Sequence, residues 1–169
     1  STMFVKQQGK RKLKTLEVFK FDHHTMTMSV VVEDLVNSTK VVYVKGAPEK
    51  LLKLCLPETI PPNMERQIMQ YSLLGNYVLA LSTKRFNGTT IGRISRQETE
   101  KDLTFLGLLL FRNEMKPSSP AAFEKLRQGG VECIMVTGDN AMCGNYIAKG
   151  CGIFESAKDV LLGDVDVIT

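Results

Sequence analysis

Two short runs in this sequence hold residue types suited to an anionic phosphoryl ligand. In Met135-Val136-Thr137-Gly138-Asp139-Asn140 an apolar run leads straight into Thr, Gly and Asp. If the run is a buried strand, those residues reach the carboxyl edge of a parallel sheet, where open α/β sheets bind ligands. The Thr137 hydroxyl and the amides beside Gly138 would then hold a phosphoryl oxygen, and the amino end of the next helix favours an anion there. Asp139 would repel a bare phosphate, so it suits a Mg²⁺ ion or a water. The same residues equally make a plain strand-to-helix turn with Asp139 as the helix cap. In Val44-Lys45-Gly46-Ala47-Pro48-Glu49 a lysine closes a strand before Gly46 and a helix opened by Pro48. That order sets a cation at the floor of a pocket, with space for an adenine ring on which Phe21 stacks. Against it stands the plainer reading of Lys45 as a surface strand end and Phe21 as core.

Other chemistries find less support. His23 and His24 are adjacent, and neighbouring side chains on a strand point to opposite faces, so they do not readily share a metal ion. No metal site is therefore expected of this chain alone. The cysteines (Cys55, Cys133, Cys143, Cys151) are scattered without a C-x-x-C pair, which predicts free thiols in a reducing setting and no zinc site. No G-x-x-x-x-G-K-[ST] run occurs, which excludes P-loop chemistry. Much of the net charge of +4 sits near the amino end, at Lys6, Lys10, Arg11, Lys12, Lys14 and Lys20. We read it as a solvated basic arm and expect no nucleic-acid partner.

The elements that must position these residues follow from periodicity. A composition 43% hydrophobic and 24% charged is that of a folded chain. Alternation over Thr15–Phe21, β-branched runs over Met26–Val32 and Lys40–Val44, and an Asn-Ser turn between the latter two predict antiparallel strands and a hairpin. Pro48 opens a short helix. Asn63 is the expected cap of a second, ended by Gly75. Tyr77–Leu81 reads as a strand, and Asn87–Lys101 as a polar loop. Leu103–Phe111 is the longest apolar run, too short for the roughly 20 residues that cross a bilayer, and reads as a buried strand. A helix over Ser118–Gln128, a strand over Val131–Val136 and a helix to about Gly150 then give the rhythm of a parallel α/β unit. Asp159–Thr169 reads as the start of a further strand. The fold class is thus α/β of the α+β kind: an antiparallel sheet over residues 1–111, then an incomplete parallel α/β segment over 112–169.

In their order the motifs resemble those of P-type ATPases. That family carries K-G-[AS]-P-E in its nucleotide-binding domain and M-[VI]-T-G-D-N in its phosphorylation domain; here the two stand about ninety residues apart. Phe19-Lys20-Phe21 followed by Met28-Ser29-Val30-Val31-Val32 is similar to the F-x-F…M-S-V-V-V strand pair of the family. Ile147-Ala148-Lys149-Gly150-Cys151-Gly152-Ile153 matches the I-A-x-x-C-G-I that follows T-G-D-N. Arg112-Asn113-Glu114-Met115-Lys116-Pro117 looks like the hinge of the type-five subfamily, where N-x-L-K-P replaces D-P-P-R. The resemblance covers about Leu16 to Phe154.

The resemblance implies an antiparallel nucleotide-binding domain followed by part of a haloacid-dehalogenase-like phosphorylation domain. It implies ATP held by Phe21, Lys45, Gly46 and Asn113, with Thr137, Gly138 and Asp139 near the γ-phosphate and Mg²⁺. It implies as partners the remaining phosphorylation, actuator and membrane domains of the same pump, at the cytoplasmic face of an endolysosomal or other intracellular membrane, moving a cation or polyamine. Three positions depart from the pattern: Met26, Tyr77 and the pair Cys143-Gly144 stand where relatives carry a basic residue or Gln, an Arg and Thr-Ala. ATP affinity is therefore expected to be weak. No D-K-T-G-T, the motif with the phosphorylated aspartate, occurs in the 169 residues, so no catalytic nucleophile is assigned. A regulatory nucleotide-binding fragment would share these motifs. A haloacid-dehalogenase-type phosphatase would need an amino-terminal D-x-D, and Asp164-Val165-Asp166 is the only one.

Overall fold

The computed structural model describes residues 2–6, 10–87, 94–112, 114–138 and 141–154. Six strands form one sheet in chain order: β1 (Thr2–Lys6), β2 (Lys10–Asp22), β3 (Thr27–Asp34), β4 (Thr39–Gly46), β5 (Tyr77–Arg85) and β6 (Thr104–Phe111). The pairs from β1 to β5 are antiparallel. The expected hairpin joins β3 to β4, and the buried Asp34 braces its turn by accepting the Val36 N–H at 2.9 Å and the Asn37 side-chain amide at 3.3 Å.

The chain divides into two compact units, residues 1–65 with 78–109, and residues 66–77 with 110–169. The first unit is built on the period-2 pattern of its strands. Val31, Val42, Val44 and Ala80 come from neighbouring strands onto one buried face. Leu51 and Leu103, both fully buried, cover it. Leu51 comes from α1 (Pro48–Leu51), which Pro48 opens as expected, and a tight 3₁₀ turn over Leu52–Leu54 carries the chain on. Leu103 is fixed by its main chain, which donates to Leu54 O at 2.9 Å and accepts from Leu56 N at 2.8 Å. Truncating either leucine to Ala would cost about 2–5 kcal/mol.

The second unit holds most of α2 (Met64–Leu73), α4 (Ser119–Gln128) and α5 (Ala141–Cys151). Gly75 and Gly130 end α2 and α4 with φ of 79° and 74°. In each case the two following amides return to carbonyls of the last turn: Gly75 N to Ser72 O and Asn76 N to Tyr71 O, then Gly130 N to Arg127 O and Val131 N to Leu126 O. All four cysteines are free thiols. Among the described residues no helix is long and apolar enough to cross a membrane.

Four local expectations are corrected. The Leu103–Phe111 run holds a strand, β6, but not a buried one, since Leu106, Leu109, Leu110 and Phe111 are all exposed. Asn63 is not an extended cap: it takes a left-handed turn with φ 61°, which its short polar side chain tolerates. Asn87–Lys101 is not wholly loop, because Arg96–Thr99 form a short helix, α3, and the following Glu100 is buried. Val131–Val136 carries no ladder. Ile134 and Val136 are 84% and 89% exposed, while Cys133 and Met135 are half-buried. The alternation of a strand is present, but among the described residues nothing pairs with it, and an extended segment without a neighbour cannot bond its own amides and carbonyls. The parallel α/β segment is therefore not formed in the described residues. The strand expected from Asp159 lies outside them, as does Asp164-Val165-Asp166.

Candidate functional site

The register of the sheet aligns the first motif with the end of β2. Asp22 pairs with Thr27, Thr27 with Gly46, and Gly46 with Ala80; one residue further in, Met28 pairs with Lys45 and Lys45 with Leu81. Phe21, next to Asp22, thus shares one end of the sheet with Lys45, two strands and about 10 Å away. Alternation along β3 sends Thr27, Ser29 and Val31 into the buried face and leaves Met28 and Val30 part-exposed. On β4, Tyr43 and Lys45 are exposed while Val42, Val44 and Gly46 are buried. Met28, Val30, Tyr43, Lys45, Leu81 and Leu106 line an open cavity of about 230 Å³ that is almost wholly apolar. Closed ligand pockets run to about 300–1,000 Å³, so this one suits a flat ring laid on the sheet with its polar substituents outside.

Phe21 does not line that cavity. Its ring is 49% exposed and meets the edge of His23, centroids 5.0 Å apart. Phe19 is the member of the F-x-F pair that packs against the core. Phe21 is thus an exposed aromatic ring at the same end of the sheet as Lys45 and outside the cavity. Gly46 has a packing role as well: a Cβ there would lie 2.5 Å from Met26 O, and the next amide, Ala47 N, donates to that oxygen at 3.0 Å.

Between Phe21 and Met26 the chain turns back on itself. Met26 N donates to Asp22 O at 2.7 Å, and Met26 has φ 53°. The Asp22 carboxylate accepts from Thr25 N at 3.0 Å and His24 N at 2.7 Å. Those main-chain bonds, Thr25 foremost, hold its pKa below the usual carboxylate range, with help from Arg96.

What sequence reading missed lies beneath this turn. Glu100, 6% exposed, accepts the hydroxyls of Thr27 and Ser29 at 2.7 and 2.6 Å and the Arg96 Nε–H at 2.9 Å. The only signal was the i, i+4 spacing of Arg96 and Glu100, which any surface helix shows.

In the second unit, Thr137 and Gly138 are exposed just before α5 begins at Ala141. The Thr137 methyl rests on α5: a Cβ at Gly144 would lie 3.0 Å from Thr137 Cγ2, which explains glycine where Thr-Ala was the expected pattern. The Cys143 thiol meets Gly75 O at 3.6 Å. Asn113 and Asp139 lie outside the described residues. The structure thus gathers Phe21, Lys45 and Gly46 at one sheet end and places Thr137 and Gly138 in the other unit.

A family model described as "P-type ATPase, cytoplasmic domain N" matches residues 2–118. The chain is 38% identical over 127 residues to "Probable cation-transporting ATPase 1" of Plasmodium falciparum, a match covering 73% of this chain and 6% of that protein. It is 32% identical over 150 residues to "Polyamine-transporting ATPase 13A3" of Mus musculus, covering 86% of this chain and 12% of the relative. It is also 32% identical over 154 residues to "Polyamine-transporting ATPase 13A2" of Homo sapiens, covering 89% and 13%. The chain therefore spans about a tenth of the length of the curated relatives it matches.

Proposed function

Because the chain belongs to the P-type ATPase family, we propose that it is the ATP-holding cytoplasmic part of a pump moving a cation or polyamine across an endolysosomal or other intracellular membrane. The observation that carries this reading is the placement of Phe21 and Lys45 at one end of a single sheet, with Lys45 also lining an apolar cavity there. Adenine lies on the cavity with Phe21 as its stacking partner, and the Lys45 ammonium meets the negative charge of the nucleotide. Gly46 keeps the β4 end thin enough for the Met26 turn to close over it. Asn113 is assigned to the ribose on the family resemblance alone.

The domain boundary falls near Arg112, where the hinge Arg112–Pro117 leads from the nucleotide-binding part into the first piece of a haloacid-dehalogenase-like phosphorylation domain. The exposed Ile134 and Val136 support that reading, since a segment with strand alternation and two bare apolar side chains suits a sheet completed by strands from elsewhere in the pump. Thr137, Gly138 and Asp139 are the residues that we assign to the γ-phosphate. The Thr137 hydroxyl and Asp139 carboxylate offer hard oxygen ligands, which fit Mg²⁺ rather than a soft metal, while the main-chain amides suit a phosphate oxygen; when bound with the phosphates, Mg²⁺ supplies charge neutralisation for phosphoryl transfer. The aspartate that accepts the phosphoryl group belongs to a D-K-T-G-T segment of the same pump, whose actuator and membrane domains are the further partners.

Calorimetric titration of ATP into this chain tests the reading. Saturable binding weaker than low micromolar is expected, because Met26 and Tyr77 withhold charged phosphate contacts worth ~1.5–3 kcal/mol each. Absence of binding at millimolar ATP would overturn it.

A further inference from the structure

One charged network in the first unit is more heavily connected than packing requires. The Arg96 guanidinium donates Nη1 to Lys20 O at 3.1 Å and Nη2 to Thr27 O at 2.7 Å and Thr27 Oγ1 at 3.2 Å, while Nε donates to Glu100 Oε1 at 2.9 Å. Its Nη1 also lies 4.0 Å from Asp22 Oδ2. Lys20 is the residue before Phe21, and Thr27 is the first residue after the turn. One planar side chain therefore fastens both ends of the segment that presents the Phe21 ring. Glu100 anchors it from below, with its side chain 5% exposed and its oxygens taken by Thr27 Oγ1, Ser29 Oγ and Arg96 Nε. A carboxylate buried this deeply is costly unless its charge is matched and its lone pairs are filled, and here both conditions hold.

We infer that Arg96 and Glu100 are positioning residues for the nucleotide site: they lock the turn from Phe21 to Met26 so that the Phe21 ring is held in place before the nucleotide arrives. The inference rests on the proposed ATP reading and adds the residues that preorganise it. Neither side chain is among those lining the cavity, so their effect passes through Phe21. Without the staple the turn keeps the Asp22 carboxylate bonds, the Met26 N–Asp22 O and Ala47 N–Met26 O bonds and the Thr27–Thr25 hydroxyl contact, but the Lys20 end beside Phe21 loses its side-chain anchor, and affinity falls because ordering the ring must be repeated at each binding event. The planar fork is essential, since it serves four acceptors at once, Lys20 O, Thr27 O, Thr27 Oγ1 and Glu100 Oε1, and the three N–H groups of a lysine ammonium cannot meet all four.

The test is a double-mutant cycle on the 169-residue chain, with ATP as the probe and calorimetry as the readout, alongside melting temperature and amide exchange at His24 and Thr25. Arg96→Gln and the charge-retaining Arg96→Lys are each expected to raise the ATP Kd about tenfold and to speed exchange in the turn. In a Phe21→Ala background the same changes are expected to cost no further affinity. Additive losses in that background would overturn the inference, as would faster exchange at an unchanged Kd. Collapse of both Arg96 variants with a large loss of melting temperature would assign the network to folding and overturn it too. If the unmodified chain binds no ATP, the proposed function itself fails and the inference falls with it.

Discussion

Gly46 and the Met26 carbonyl are in a contact that admits no side chain: a Cβ on Gly46 would lie 2.5 Å from Met26 O. Thr27 closes the same space, with Cγ2 at 2.9 Å and Cα at 3.1 Å from that position. Two of these three atoms are main chain, so no rotamer change relieves the clash. Gly46→Ala must part β3 from β4 or move the turn, at a cost of about 1–3 kcal/mol. Because that turn follows Phe21, the substitution is expected both to lower the urea midpoint and to weaken ATP binding.

Lys45 separates binding from folding. Its side chain is exposed and no hydrogen bond to it is described, so Lys45→Ala should change stability by no more than about 0.5 kcal/mol. Loss of a charge-assisted contact should raise the ATP Kd about tenfold or more. Unfolding curves that superimpose beside a weakened titration are the expected pair of results. An unchanged Kd would remove Lys45 from the site.

Much of the first unit was legible because strands with one buried face write their period into the sequence. Thr27, Ser29 and Val31 alternate inward, Pro48 starts its helix, and Gly75 and Gly130 stop theirs, each for a local reason. Phe21, Lys45 and Gly46 could be named because strand ends and a Gly-Ala-Pro step mark them. Arg96 and Glu100 could not: their partners are Lys20, Thr27 and Ser29, some seventy residues away, and nothing local announces such a pairing. The misread strand at Val131–Val136 fails for the complementary reason. Periodicity reports what a segment is suited to, whereas a ladder also needs a neighbour.

Ile134 and Val136 turn that point into a measurement. In this chain both are nearly bare, so Ile134→Lys should alter stability by no more than about 0.5 kcal/mol. Val42→Ala, at a fully buried position of the sheet, should cost about 1–3 kcal/mol. A large loss from Ile134→Lys would mean that the segment is packed within these residues and does not await strands from elsewhere.

Asp22 gives the turn a pH signature. Hydrogen bonds from Thr25 N and His24 N, with Arg96 nearby, hold its folded pKa below the unfolded value. A depressed carboxylate pKa contributes stability that is fully present above the unfolded pKa, near 4 by the usual range for aspartate, and is lost as pH falls through the folded pKa. The advantage of the parent over Asp22→Asn should therefore be constant near neutrality and shrink below about pH 4. Carboxyl chemical shifts followed by NMR would give the midpoint directly, and a midpoint at or above the ordinary value would contradict the hydrogen bonding described for the turn.

If the chain holds ATP as proposed, holding it and spending it should be separable. Phosphoryl transfer through an aspartyl phosphate needs the nucleophile in line with the γ-phosphate, and electrostatic stabilisation alone does not replace it. No D-K-T-G-T occurs among the 169 residues, and the T-G-D-N motif supplies oxygen donors rather than an attacking carboxylate. The chain is accordingly expected to bind ATP without cleaving it. With γ-labelled ATP and Mg²⁺, followed by acid quench, protein-bound label should stay at background, and phosphate release should match a buffer control. Stoichiometric acid-stable label would mean that one of the carboxylates present here is itself the acceptor. Mapping the labelled residue would then replace the two-part reading, in which this chain presents the nucleotide and another segment of the pump receives the phosphoryl group.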